Sequence, residues 1–123
     1  MSTGNTTFVL GGLLDQIRHA HAEKRSDDLP PLVREFITVA ANRLDVLAQS
    51  SIRKYAPDMA GETDALFNEA YQRLVATLQK RLPPANPVDY FHIAAVQIRY
   101  ALWDLLRERM KSRLHLPVPS DVA

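Results

Sequence analysis

Residues 86–113 read NPVDYFHIAAVQIRYALWDLLRERMKSR, and they carry the clearest helical pattern of this 123-residue chain. Asn86 suits a helix N-cap, Pro87 suits the first helical position, and Asp89 places negative charge in the first turn. Apolar residues then recur at the three- and four-residue spacing of a buried helix face. The stretch therefore predicts a long helix with one face in a core. The apolar positions are Phe91, Ala94, Ala95, Ile98, Ala101, Leu102, Leu105 and Leu106.

A second stripe on the same helix consists of His92, Val96, Arg99, Tyr100, Trp103 and Arg107. Between residues 99 and 113, five basic residues stand against two acidic ones, a net charge of +3, so the remainder carries −2 against the chain's +1. Two interpretations are open. The spacing of Tyr100 and Trp103 suits a core contact in a bundle. The arginines beside them favour stacking of unpaired bases next to neutralised phosphates.

The rest of the chain predicts three more helices, over residues 8–23, over about residues 31–54, and from about residue 63 to the Pro83-Pro84 pair. No stretch alternates as a strand does. The predicted fold is all-α, a compact bundle of four helices, three long and one short. We expect a disordered segment at residues 1–7, a helical domain at 8–113, and at 114–123 a tail or the start of a linker to a further domain that the sequence does not contain.

Apolar periodicity also predicts the core faces of the second and third helices. The second presents Leu32, Val33, Phe36, Ile37, Ala40, Leu44, Leu47 and Ser51, and the third Leu66, Phe67, Ala70, Tyr71, Leu74, Val75 and Leu78. The polar side of the third helix consists of Asp64, Asn68, Glu69, Gln72 and Arg73. On pattern alone that side is typical of a solvated helix face.

Several function classes lack the residues that they need. There is no cysteine, which excludes disulfides, cysteine zinc sites and thiol nucleophiles. His19 and His21 are two residues apart on a helix and point in different directions, so they cannot share a metal. No glycine-rich phosphate loop is present, and no apolar run approaches the length of a membrane span. We expect a non-enzymatic, cytoplasmic protein without a cofactor, a metal or a membrane partner.

Two segments, TDALFNEAYQRLV at residues 63–75 and YFHIAAVQIRYALWDLLRERMKSR at 90–113, resemble the second conserved region of extracytoplasmic-function (ECF) sigma factors of the sigma-70 family. The first segment matches the family's pattern at Ala65, Leu66, Glu69, Ala70, Tyr71, Arg73 and Leu74. The second matches at Phe91, Ile93, Ala94, Ala95, Arg99, Leu102, Asp104 and Arg107. The likeness covers roughly residues 10–113. Members of this family continue into a C-terminal helix-turn-helix domain.

The resemblance implies a sigma region 2 type of bundle that binds bacterial RNA polymerase core and promoter DNA. The implied polymerase contact is the clamp helices of the largest subunit, through Asp64, Asn68, Glu69, Gln72 and Arg73. The implied DNA contact is the non-template strand of the −10 element, with residues 84–90 as a loop beside a flipped base. The candidate DNA-binding residues are Asn86, Asp89, His92, Arg99, Tyr100, Trp103, Arg107, Arg109 and Lys111. An anti-sigma factor is a further implied partner.

Two other functions remain open at this point. One is a sigma-like helical protein–protein module that regulates transcription without binding a promoter. The other is an unrelated helical bundle whose basic end binds nucleic acid without sequence preference.

Overall fold

Four α-helices make up most of the structure, a computed structural model that describes the backbone of residues 2–114 and the side chains of residues 6–111. They are α1 (Ser2–Ala22), α2 (Leu29–Tyr55), α3 (Thr63–Lys80) and α4 (Pro87–Leu114). Short 3-10 helices, Ser26–Asp28 and Pro57–Glu62, precede α2 and α3. No strand occurs within residues 2–114, so the prediction of an all-α bundle of four helices is confirmed.

The first helix differs most from its prediction. It has 21 residues against 18 in α3, so none of the four helices is short. Residues 2–7, for which the sequence predicts disorder, belong to this helix, whereas residue 1 and residues 115–123, most of the predicted tail, lie outside the described residues. The physical reason is cooperativity. Leu10, Leu14 and Ile17 are fully buried, and their packing holds this part of α1 helical. Once a helix exists, each residue added to its N-terminal end is ordered in exchange for one further hydrogen bond, so extension is easier than starting a new helix.

One apolar cluster joins all four helices, and α2 lies at its centre because it packs more extensively against the other three than any other helix does. Phe36 of α2 is fully buried, and its ring centroid lies 4.8 Å from that of Tyr90 of α4, at a nearly perpendicular angle. The periodicity missed Tyr90, Ala48 and Ile52, which are all buried. It was wrong at Tyr71, which is exposed. The predicted core residues Leu32, Leu47, Phe67, Val75, Ala95, Leu105 and Leu106 are only half-buried.

The segment between α3 and α4 is held in place by α1. A guanidinium nitrogen of Arg18 donates to the carbonyl oxygen of Pro83 at 2.5 Å. The His21 ring nitrogen Nε2 donates to the carbonyl oxygen of Leu78 at 2.8 Å, near the C-terminus of α3. The second bond satisfies a carbonyl that the end of α3 leaves without a helical partner, and the first satisfies a carbonyl of the segment that follows. They fix where the chain leaves α3 and so where α4 begins.

The first turn of α4 has the cap that the sequence predicts. Asn86 Oδ1 accepts a hydrogen bond from the backbone N–H of Val88 at 2.7 Å, and the Asn86 carbonyl accepts one from the N–H of Tyr90 at 3.0 Å. Pro87 is the first residue of the helix, where its missing N–H costs nothing. The start of α3 is different. Glu62 occupies the cap position but accepts no capping hydrogen bond from the backbone with its side chain, and Thr63 is already helical.

Candidate nucleic-acid interface

The aromatic and basic stripe of α4 lies at the protein surface. Tyr100 is 57% exposed and Trp103 37%, whereas Ile98 and Leu102 on the opposite face are at most 1% exposed. The core interpretation of Tyr100 and Trp103 is therefore wrong, and both rings are accessible to a ligand. Of the other stripe residues, Arg99 is half-buried, and the exposed ones are His92, Val96 and Arg107.

Where α4 packs on the end of α2, rings and cations from both helices form a group, here called the aromatic flank. It consists of Lys54 and Tyr55 from α2 and of Arg99 and Trp103 from α4. The ring centroids of Tyr55 and Trp103 are 5.8 Å apart, and the ring planes are tilted by 62°. The Lys54 ammonium nitrogen and the Arg99 guanidinium carbon lie 5.4 Å and 5.5 Å from the centre of the Tyr55 ring. Cations at this range are attracted by the ring quadrupole. The flank therefore concentrates positive charge beside two partly exposed rings.

Where α4 packs on α3, charged side chains from both helices surround the carboxylate of Asp104, and this group is here called the carboxylate flank. It consists of Glu69 and Arg73 from α3 and of Asp104 and Arg107 from α4. Arg73 and Arg107 each donate a hydrogen bond from a guanidinium nitrogen to one carboxylate oxygen of Asp104. A second acid, Glu69, lies 3.6 Å from the same nitrogen of Arg73. The hydrogen bond from Arg73 is the main cause that lowers the pKa of Asp104, partial burial opposes it, and the bond from Arg107 adds to it.

The basic end of α4 is partly neutralised by the protein itself. Arg109 forms an ion pair with Glu62, at the end of the short helix before α3. Lys111 is exposed and lines a shallow groove together with Glu108 and Asp104. The two arginines Arg107 and Arg109 each contact a carboxylate. By contrast, within the described residues no salt bridge includes Lys54 or Arg99.

A groove of about 270 Å³ lies between the end of α3, the following segment and the first turns of α4. Pro84, Tyr90 and Gln97 are among the residues that line it. The Tyr90 hydroxyl and Gln97 Oε1 are buried and have no hydrogen-bond partner among the described residues. Burial raises the pKa of the Tyr90 hydroxyl, which therefore stays protonated. Two buried polar atoms without a partner among the described residues thus belong to the residues that line this groove.

The remaining predicted residues divide between free surface and internal contacts. Asp89 and His92 are exposed on the first turns of α4. Asn86 uses its side-chain oxygen for the cap, which leaves its amide nitrogen for a ligand. On α3, the exposed polar residues are Asp64, Asn68 and Gln72, and the half-buried ones are Glu69 and Arg73. The structure therefore separates the predicted polymerase-binding set into an outward group and a pair turned toward α4.

Two residues of the aromatic flank, Lys54 and Tyr55, were missed by the sequence prediction. They lie in the last turn of α2, 49 and 48 residues before Trp103, and only the packing of α2 on α4 brings them together. A weak sign was present. Two basic residues, Arg53 and Lys54, precede an aromatic residue just before Pro57, but cations are favoured at any helix C-terminus.

Comparisons with family models, with curated proteins and with solved structures found no match for this chain. Among the described residues, no helix has both the length and the hydropathy of a membrane span. In the same part of the chain, no three His, Cys, Asp or Glu side chains come together as metal ligands. The geometry of the α4 surface is therefore the main guide to function.

Proposed function

We propose that this chain is a sigma-factor domain of the region 2 type, which binds RNA polymerase core and the unpaired −10 element in transcription initiation. The observation that carries the proposal is the exposure of Tyr100 and Trp103 beside Arg99 on the outward face of α4. Single exposed rings are common at protein surfaces, but here two rings and a cation lie next to one another on one helix face. Stacking of bases on aromatic rings beside backbone-neutralising cations is the general way in which proteins hold single strands.

The groove beside Tyr90 and Gln97 supports the same proposal. A base that leaves the duplex loses stacking and pairing, which costs a few kcal/mol. A pocket offsets this cost when it supplies hydrogen bonds to the base edge. Two groups of this groove, the Tyr90 hydroxyl and Gln97 Oε1, are buried and have no partner among the described residues, so a base edge that reached them would gain hydrogen bonds that the chain itself does not make. The groove adjoins Pro84, in the loop that the resemblance assigns to a flipped base.

The contact between Arg73 and Asp104 is a second support. Each of these residues belongs to one of the two segments that resemble the sigma family, and 31 positions separate them in the chain. Their hydrogen bond holds α3 and α4 in a fixed register. The polymerase-binding surface in this proposal is the outer side of α3, where Asp64, Asn68 and Gln72 are exposed. The partner there is the clamp of the polymerase largest subunit.

A second candidate is a sigma-like module that regulates transcription through protein contacts without binding promoter DNA. One observation favours it: Arg73, Arg107 and Arg109 each contact a carboxylate of the chain. Their positive charge is therefore partly offset before any phosphate approaches. In this alternative the surface of α3 keeps its partner, and the α4 face has a different one.

The proposal is tested by binding of purified bacterial RNA polymerase core and of a randomised single-stranded DNA pool. We expect the full chain to bind core, and to enrich a defined sequence from the pool with an affinity that falls steeply as salt rises. Glu69→Lys should weaken binding to core. Because Glu69 contacts Arg73, the exposed Asn68→Lys serves as an independent second variant.

Glu35→Lys is the matched control, since it reverses one exposed acid on α2, away from the proposed surface. It should leave binding to core unchanged. Absence of core binding by the unaltered chain would overturn the proposal. Core binding without any enriched DNA sequence would favour the protein–protein module.

A further inference from the structure

We propose that the C-terminal end of α2 forms the second half of a single-strand site, in which Tyr55 and Lys54 join Trp103 and Arg99 to hold one unpaired DNA base and its phosphates. This inference rests on the proposed function for the identity of the ligand, and it adds a helix that the resemblance did not assign to DNA. Trp103 stacks the base, Tyr55 positions the indole, and the two cations neutralise the backbone.

The ring geometry leaves a stacking face open. Because the Tyr55 and Trp103 planes are tilted by 62° and the centroids are 5.8 Å apart, the two rings do not lie flat on each other. More than a third of each residue remains exposed, 38% for Tyr55 and 37% for Trp103. An aromatic pair used only for packing between helices would gain from deeper burial. This pair is only partly buried, and part of the Trp103 side chain therefore remains accessible to a base.

The charge distribution points to a phosphate ligand. Lys54 and Arg99 lie beside the Tyr55 ring, and among the described residues no carboxylate forms a salt bridge with either of them. Arg107 and Arg109, elsewhere on α4, are paired with acids. Two cations that form no salt bridge among the described residues therefore lie next to the exposed rings. A strand that stacks on Trp103 would carry its phosphates past these two cations.

The helix dipole alone does not account for Lys54. It favours cations in the last turn of any helix, and Lys80 occupies the same kind of position at the end of α3. Lys54 differs because its ammonium group lies beside the partly exposed ring of Tyr55, which in turn contacts Trp103. A comparison of substitutions at Lys54 and Lys80 therefore distinguishes a DNA contact from the general preference for cations at helix ends.

Trp103 is the only tryptophan in the chain, so its fluorescence reports directly on this site. The experiment titrates the full chain with a short single-stranded oligodeoxynucleotide and with the same sequence as a duplex. We expect the single strand to quench Trp103 emission, and the duplex to do so far less. Tyr55→Ala and Lys54→Ala should each weaken the single-strand affinity by roughly tenfold, in the range that loss of one stacking or phosphate contact produces.

The controls test whether the proposed single-strand site on the aromatic flank, here called the platform, binds DNA or only packs α2 on α4. Tyr71→Ala, at a residue on α3 that is 37% exposed, and Lys80→Ala should leave the affinity unchanged. Tyr55→Phe keeps the ring and should bind as the unaltered chain does, which protects the test if Tyr55→Ala unfolds. Tyr55→Ala should also shift the emission maximum of Trp103 in the absence of DNA, because the indole loses its neighbouring ring.

The outcomes distinguish this inference from the proposed function. If the chain binds core polymerase and an enriched single strand while Tyr55→Ala and Lys54→Ala have no effect, the platform is overturned and the proposed function stands. If single strands bind through Tyr55 and Lys54 but neither core binding nor sequence enrichment occurs, the platform stands and the proposed function fails. Absence of quenching by any single strand overturns the platform.

Discussion

The two flanks of α4 use cations in opposite ways. On the carboxylate flank, Arg73 and Arg107 share the two oxygens of Asp104, so that charge is satisfied within the protein. On the aromatic flank, Arg99 and Lys54 lie beside rings, and within the described residues they form no salt bridge. Arg73 thereby joins α3 to α4, whereas Arg107 pairs within α4. A cation beside an exposed ring remains available to a ligand.

The same helix therefore combines a structural side, which faces α3, and a candidate binding side, which faces α2. Arg107 belongs to the exposed stripe in sequence, yet its hydrogen bond to Asp104 draws it toward the structural side. Arg99 was placed in the same stripe, and its contact with Tyr55 draws it toward α2. Basic residues on one helix face are not equivalent, because the neighbouring helices decide which of them are neutralised.

The largest expected effect on the free energy of unfolding comes from a substitution in the core beneath the two flanks. Leu102 is fully buried between them, and Leu102→Ala should lower the free energy of unfolding by about 2–5 kcal/mol, since it leaves a cavity that the surroundings fill only in part. Urea unfolding of the full chain measures this. Leu82→Ala is the matched control at a residue that is 56% exposed, and it should change stability by less than roughly 0.5 kcal/mol. Equal effects of the two substitutions would contradict the buried position of Leu102.

A smaller effect is expected from the carboxylate flank, and it should depend on pH. Arg73 and Arg107 lower the pKa of Asp104 below its ordinary value of 3.8, so the ionised form stabilises the folded state above that pH. The contribution is lost as pH falls through the lowered pKa. Asp104→Asn should therefore destabilise the protein at neutral pH, and its difference from the unaltered chain should shrink in acid.

The measurement for Asp104→Asn is urea unfolding at a series of pH values from neutral to strongly acidic. Asp58→Asn is the control, because Asp58 is exposed in the short helix before α3. Its difference from the unaltered chain should be small at every pH. A destabilisation by Asp104→Asn that stays constant down to strongly acidic pH would show that the ion pairs do not cause it.

The smallest effect is expected from the aromatic flank, whose rings are half exposed. A double-mutant cycle with Tyr55→Ala and Trp103→Ala should give a coupling free energy of about 0.5–1.5 kcal/mol in unfolding experiments, toward the lower end because water reaches both rings. The control cycle pairs Tyr71→Ala with Trp103→Ala. Among the described residues these two rings are not in contact, so their effects should add. Coupling as large as the effect of Leu102→Ala would mean that the flank is mainly structural.

Helical periodicity alone gave most of α4 and much of the core. Phe91, Ala94 and Ile98 were predicted as buried from their spacing and are buried, because a helix with one apolar stripe has only one stable way to face a core. Tyr90 could not be predicted in the same way. It lies at the edge of that stripe, and its burial depends on the ring of Phe36 from α2. The length of α1 was also missed, because threonine, glycine and asparagine have low helix propensity in isolation.

The candidate site was only half visible in the sequence. Tyr100 and Trp103 stood out by composition, but spacing left their core and surface interpretations open. Burial decided between them. Lys54 and Tyr55 gave only a weak sign, since the contact that makes them part of the site joins two helices that are distant in the chain.

The sequence by itself determined that this protein is helical, where α3 and α4 lie, and which face of α4 is apolar. Those properties depend on residues three or four positions apart, whose interactions are local. Only the tertiary structure decided which charges of α4 are available. Arg73 reaches Asp104 from α3, and Tyr55 reaches Trp103 from α2. The availability of a cation depends on the groups that other helices place beside it, and local spacing carries no record of them.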